Sequence, residues 1–195
     1  MRVGLGTGTT AALLLPALAA RGLRGLRCVA TSPATEKMAR ELGLELHTLD
    51  ELGELDIAID GADQIDPDGW LIKGGGGAHT REKIVAAAAR RFVVIASAEK
   101  AVPQLSPPVP LELLAFGVAH TLASVSPARL RELPPSPDGG LIGDYLGAIG
   151  EPDALARRLS ETAGVIEHGL FAPRLVSSIL IGGDDGVHTR APSDS

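Results

Sequence analysis

Three stretches of the chain bring together residue types that can move protons and stabilise anions. Glu82 stands in Thr80-Arg81-Glu82-Lys83, at the opening of an expected helix. A carboxylate in a first helical turn commonly does no more than offset the helix dipole. The stretch lacks a glutamate at the third helical position for a capping box, however, so local helix chemistry leaves Glu82 free for other work. Asp60 and Asp63 follow the apolar run that ends at Ile59. A carboxylate directly beyond a buried strand is partly desolvated, which raises its pKa toward the proton-transfer range; the plainer alternative is a loop held by aspartate-to-backbone bonds. Lys73 emerges from a second apolar stretch straight into Gly74-Gly75-Gly76-Gly77. Such a run costs entropy on folding and offers exposed N–H donors in return.

A fourth stretch, Gly6-Thr7-Gly8-Thr9-Thr10, precedes an apolar helix. Small residues at a helix N-terminus let an anion approach free N–H groups, and the threonines add hydroxyls. By itself the stretch also reads as a plain tight turn. No lysine precedes the Ser/Thr position, which excludes a P-loop. Gly6-x-Gly8-x-x-Ala11 does fit a dinucleotide fingerprint, but the second strand ends in Ala30-Thr31-Ser32-Pro33 with no carboxylate for a ribose diol.

Metal chemistry finds little support. An EF-hand register with Gly69 as its glycine puts Gln64 first and Gly75 where the bidentate glutamate belongs. Asp66-Pro67-Asp68-Gly69 is a turn. The five histidines form no i,i+4 pair, and Cys28 is the only cysteine, so no zinc site and no intrachain disulfide is expected.

Positioning these groups takes strands alternating with helices. Strands are expected at 1–5, 26–30, 44–49, 55–59, 70–73 and 92–96, with helices from 9 to about 21, at 34–42 and at 80–91, the last opened by Thr80. This is an α/β pattern: a Rossmann-like, mostly parallel sheet with helices on both faces, whose ligands bind beyond the strand C-termini. Four prolines between 103 and 110 suggest a connector into a smaller α+β unit. There, helices near 115–125 and 152–162 accompany strands near Leu130, at 141–145 and around 165–171. A last strand, 178–182, turns at Asp184-Asp185-Gly186 and returns to the main sheet. The domains are therefore read as 1–106 with 172–195, and 107–171.

The chain of 195 residues can bury a core without staples, and its net charge of −6 with few aromatics argues against nucleic acid. Residues 11–20 imitate a signal peptide, but the Gly/Thr loop interrupts the apolar run a secretory leader needs. No stretch reaches the roughly 20 apolar residues of a membrane span. Cysteine usage is compatible with a reducing cytoplasm.

Together, Gly6-Thr7-Gly8-Thr9-Thr10, Asp60-Gly61-Ala62-Asp63 and Lys73-Gly74-Gly75-Gly76-Gly77-Ala78-His79-Thr80-Arg81-Glu82-Lys83 resemble the signature of type A ribose-5-phosphate isomerases. Lys100, Pro110-Leu111-Glu112, Gly169-Leu170-Phe171 and Asp185-Gly186-Val187 extend the likeness along the chain. The resemblance implies a ferredoxin-like small domain and a metal- and cofactor-independent interconversion of ribose 5-phosphate and ribulose 5-phosphate through an enediol. Glu82 would shuttle the proton, Asp60 would assist ring opening, Asp63 would hold hydroxyls, and Lys73 with the glycine amides would stabilise the enediolate. Thr7, Gly8, Thr9, Thr10 and Lys100 would engage substrate at its phosphate end; Gly61, Ala62, Gly74, Gly75 and Gly76 complete the expected substrate contacts. A weakly acidic C–H beside a carbonyl needs such a carboxylate base and preorganised positive dipoles. A homodimer or homotetramer is the family expectation. Two departures stand out: the chain starts inside the first strand, where the family carries a preceding helix, and residues 130–150 match poorly. The rival reading is a non-catalytic sugar-phosphate sensor, which needs the anion loop but no base; a nicotinamide-dependent oxidoreductase is a weaker third.

Overall fold

A computed structural model describes residues 1–192. The chain enters with β1 (Arg2–Leu5), α1 (Thr9–Ala20), β2 (Arg27–Ala30) and α2 (Pro33–Glu41). α2 starts cleanly because Pro33 pre-sets the first helical turn and the Ser32 hydroxyl accepts from the Thr35 N–H at 3.1 Å. Next come β3 (Glu45–Leu46), α3 (Leu49–Leu52), β4 (Ile57–Asp60), β5 (Gln64–Ile65), β6 (Leu71–Ile72), α4 (His79–Ala87) and β7 (Phe92–Ser97). After a 3₁₀ turn at Ala98–Lys100 follow β8 (Val109–Leu113), α5 (Val118–Ser124), β9 (Ala128–Leu130), β10 (Leu141–Tyr145), α6 (Pro152–Ser160) and β11 (Val165–His168). β12 (Leu170–Phe171), β13 (Ser178–Gly183) and β14 (Gly186–Arg190) close the described chain.

The main sheet has seven strands in the order β14-β13-β7-β4-β1-β2-β3. All its pairs are parallel except β13 with β14. Strand alternation sends neighbouring side chains to opposite faces. Val3, Leu5, Cys28 and Ile57 pack with Leu15 of α1 and Ala39 of α2, whereas Val29, Ala58 and Val94 pack with Val85 and Ala86 of α4. Both faces are thus covered. β1 runs between β2 and β4, so the strand order reverses there and opens a crevice beyond the C-terminal ends of β1 and β4. Those ends carry the Gly6-Thr7-Gly8 loop and Asp60.

A second sheet, β11-β8-β10-β9, is antiparallel throughout. With α5 and α6 it forms a β-α-β-β-α-β unit whose strand order is that of a ferredoxin-like fold. Leu111, Leu113 and Tyr145 pack against Leu155 and Leu159 of α6 in its core. A third sheet, β12-β6-β5, joins residues before and after this unit.

Several expected boundaries shift. The strand expected at 44–49 pairs only at Glu45–Leu46, because Thr48 and Glu51 form a reciprocal capping box that opens α3. The helix expected at 80–91 spans His79–Ala87; Ala78, not Thr80, is its N-cap, and the Thr80 hydroxyl turns away to the buried Glu112 carboxylate. The expected proline-rich connector gives way at Val109 to β8, and residues expected as one strand around 165–171 split between two sheets.

Candidate active site

Gly6, at the end of β1, lies so close to Asp60 that a Cβ there would overlap the carboxylate, so only glycine permits the approach. The carboxylate is consequently seated on backbone amides. Its Oδ1 accepts from the Thr7 N–H at 3.0 Å and the Gly61 N–H at 2.7 Å. Its Oδ2 stands 3.1 Å from Lys73 Nζ.

Lys73 leaves the end of β6 and turns inward. Its ammonium donates to the Gly61 carbonyl at 2.6 Å and stands 3.2 Å from Glu82 Oε2. Apart from that ammonium, no donor reaches the buried Oε2 among the described residues. Asp60, Lys73 and Glu82 are all buried, at 3%, 3% and 5% exposure. Three charges held this dry are costly unless they compensate one another.

The compensation is unequal. Burial pushes the Glu82 carboxyl up to about 7; the Lys73 ammonium pulls it back, and the Asp60 charge pushes it further up. Burial also works against the Lys73 charge, but the carboxylates of Asp60 and Glu82 outweigh it and hold the ammonium more firmly protonated than usual. The cluster therefore contains a carboxylate able to exchange a proton near neutrality beside a fixed positive charge.

Around the cluster, Gly74 takes φ +102° and packs where a Cβ would strike His79. The chain then turns, with the Gly77 N–H donating to the Gly74 carbonyl at 3.0 Å. The Gly75 N–H donates to Asp63 Oδ2 at 2.8 Å. Thr7, Gly8, Thr9, Thr10, Gly61, Ala62, Asp63, Lys73, Gly74, Gly75, Gly76, Glu82 and Lys100 line one cavity of about 100 Å³. Asp60 stands directly behind it. The Thr7 hydroxyl is occupied by Thr31 at 2.7 Å and Thr35 at 3.2 Å. The hydroxyls of Thr9 and Thr10, the open first turn of α1 and the Lys100 ammonium remain to face an anion.

Among the described residues no group of three or more His, Cys, Asp or Glu is arranged around a metal position. Arg131 and Asp144, which motif reading passed over, also reach the site. The Arg131 guanidinium bonds the carbonyls of Gly74 and Gly75 at 3.1 and 2.9 Å and grips Asp144 at 2.9 and 2.6 Å. Nothing in the local sequence marks these two residues.

The family model for "Ribose 5-phosphate isomerase A (phosphoriboisomerase A)" matches residues 27–186. Ribose-5-phosphate isomerase A of Caulobacter vibrioides is 48% identical over 202 aligned positions, covering 96% of this chain and 88% of that protein. The solved ribose 5-phosphate isomerase A of Methanocaldococcus jannaschii superposes with a TM-score of 0.92 at 34% identity, covering 98% of this chain and 91% of that one. A D-ribose-5-phosphate isomerase solved in complex with phospho-erythronic acid superposes with a TM-score of 0.91 at 32% identity, covering 98% and 90% of the two chains.

Proposed function

The chain belongs to the ribose 5-phosphate isomerase A family, and from that premise we propose that it interconverts ribose 5-phosphate and ribulose 5-phosphate with Glu82 as the proton carrier. In the open-chain aldose the C2 hydrogen is made acidic by the neighbouring aldehyde. The Glu82 carboxylate takes that proton, the C2–H electron pair becomes the C1=C2 bond, and the former carbonyl electrons settle on O1. Glu82 then returns the proton to C1 while the proton of the O2 hydroxyl passes to O1, so that C2–O2 becomes the ketone and O1 the new hydroxyl. Atoms balance, and no electron leaves the sugar.

Each neighbour has a part in that sequence. Lys73 and the glycine-turn amides supply positive potential where oxygen charge develops, and in a dry site such groups are worth most. Asp60, seated on two amides, assists ring opening by exchanging a proton at a sugar oxygen. Asp63 orients hydroxyls with its remaining lone pairs. Thr9, Thr10 and Lys100 hold the phosphate end.

One observation carries the proposal: two buried carboxylates share the Lys73 ammonium at 3.1 and 3.2 Å, and one of them has its pKa raised to about 7. A sensor of the same ligand needs the anion loop but no such cluster. We read the working units as 1–106 with 172–195, the last three residues lying outside those described, and 107–171, assembled as a homodimer or homotetramer. A cytoplasmic setting fits the lone thiol, Cys28, which burial pushes up to about 11. No helix among the described residues is long and apolar enough to cross a membrane. Incubating the purified protein with ribose 5-phosphate tests the reading directly. Ketose should accumulate to equilibrium without added metal; none forming at any protein concentration would reject it.

A further inference from the structure

We infer that Arg131, locked by Asp144, is a positioning residue that aims the Gly76 N–H into the cavity as an oxyanion donor. The inference rests on the isomerase reading and adds to it a device supplied by the small antiparallel sheet.

The geometry comes from the planarity of the peptide. In a trans peptide the C=O and the following N–H point in opposite directions. Among the described residues the cis bonds are Pro107-Pro108 and Ser126-Pro127, so both peptides of the glycine turn are trans. One nitrogen of Arg131, Nη1, takes the carbonyls of Gly74 and Gly75 at 3.1 and 2.9 Å. The two amides that follow, those of Gly75 and Gly76, must therefore face away from the guanidinium. For Gly75 that direction is visible, since its N–H donates to Asp63 Oδ2 at 2.8 Å on the cavity wall. Gly76 borders the same cavity and a second one next to it; its N–H, opposed to the Gly75 carbonyl, has no acceptor among the described residues.

The Gly74–Gly75 peptide is held from both sides, its carbonyl by the Gly77 N–H and its own N–H by Asp63; the Gly75–Gly76 peptide has no such second tie, and between two glycines it could flip at little steric cost. Arg131 removes that freedom. Its own position is set by the fork to Asp144, with Nε and Nη2 at 2.9 and 2.6 Å from the two carboxylate oxygens. Asp144 is buried at 6% exposure on β10, and Arg131 directly follows β9. Rigid strands of the second sheet thereby fix the loop that leaves β6 of the third. Because the pair is neutral overall, it orients the loop without adding a second cation beside Lys73.

The test compares the wild type with Arg131→Lys and Asp144→Asn. Lysine keeps the charge but cannot hold two carbonyls and a carboxylate in one plane. Three quantities are measured: kcat and KM for ribose 5-phosphate, inhibition by phospho-erythronic acid, whose carboxylate carries oxygen charge as an enediolate does, and competitive inhibition by inorganic phosphate. For Arg131→Lys, kcat should fall about 10- to 100-fold with KM within about threefold. Phospho-erythronic acid affinity should fall with it, while phosphate affinity stays. Asp144→Asn, which leaves the carbonyl contacts possible, should lose less. Unchanged kcat, or a loss of phosphate affinity matching the loss of kcat, would overturn the inference, the latter by showing general collapse of the site. An inactive wild type would instead reject the isomerase reading beneath it.

Discussion

A roomy cavity beside α2 and the small one at the strand ends differ in a way that volume alone conceals. The larger, about 630 Å³, lies between α2, α3 and α4 and is lined by Glu36, Arg40, His47, Arg81 and Asp138 among others. Its charges are wet. The Arg40–Glu36 pair at 2.7 Å has side chains 65% and 47% exposed, so water screens it and it contributes little. The small cavity, about 100 Å³, is bordered by Lys73 and Glu82 with side chains only 3% and 5% exposed. Chemistry follows dry charge, not room: in the larger cavity Arg81 and Asp138 only hold each other further in their charged forms, whereas burial in the small one pushes a carboxyl up to about 7.

The largest effect that can break this contrast is at Glu82. Glu82→Gln keeps the shape and removes the base, and kcat should fall about a thousandfold or more in a ketose-formation assay. The same variant should alter stability with a definite sign. The folded-state pKa of about 7 lies above the ordinary 4.5, so between those values the folded chain holds a proton the unfolded chain has released. Raising the pH from 4.5 to 7 therefore costs the wild type stability, and above 7 the full penalty applies. Glu82→Gln should be more stable than wild type at pH 8 by about 1–3 kcal/mol in urea titrations, with the difference vanishing near pH 4.

Lys73→Met comes next. It leaves Asp60 and Glu82 buried together without a counter-charge, and breaking a buried pair costs about 3–5 kcal/mol. Urea unfolding at pH 8 should show a loss of that size, accompanied by at least about a hundredfold loss of kcat. Below these lies the pH profile: log kcat/KM should climb with unit slope up to about pH 7 as Glu82 releases its proton, then flatten. A profile flat from pH 5 to 8 would detach Glu82 from the rate. The smallest effect is expected in the wet cavity, where Arg40→Ala should leave kcat/KM within about twofold and stability within about 0.5 kcal/mol.

The small cavity was legible in sequence because each of its walls is a contiguous motif at a strand end. Asp60 beyond an apolar strand and Lys73 before four glycines already carry their burial and direction in one dimension. Other features depend on partners far along the chain. β8 hides among prolines, yet the Pro110 carbonyl accepts from the Gly169 N–H at 2.8 Å, a bond no local pattern announces. β5 is two residues long, too short for alternation to register. Thr80 has the chemistry of a helix cap but spends its hydroxyl on Glu112 from another sheet. Arg131 and Asp144 lie in the stretch that resembles the family least, and they meet the glycine turn only through tertiary packing.

Isomerisation followed by NMR in heavy water tests the central claim most directly, because a proton held on the Glu82 carboxylate at the cavity wall can be traded for deuterium between removal and return. The wild type should place solvent deuterium at C1 of the ketose and C2 of recovered aldose, and Glu82→Gln, still able to bind inorganic phosphate, should place none. Deuterium entering the sugar at the wild-type rate in the Glu82→Gln protein would contradict the account.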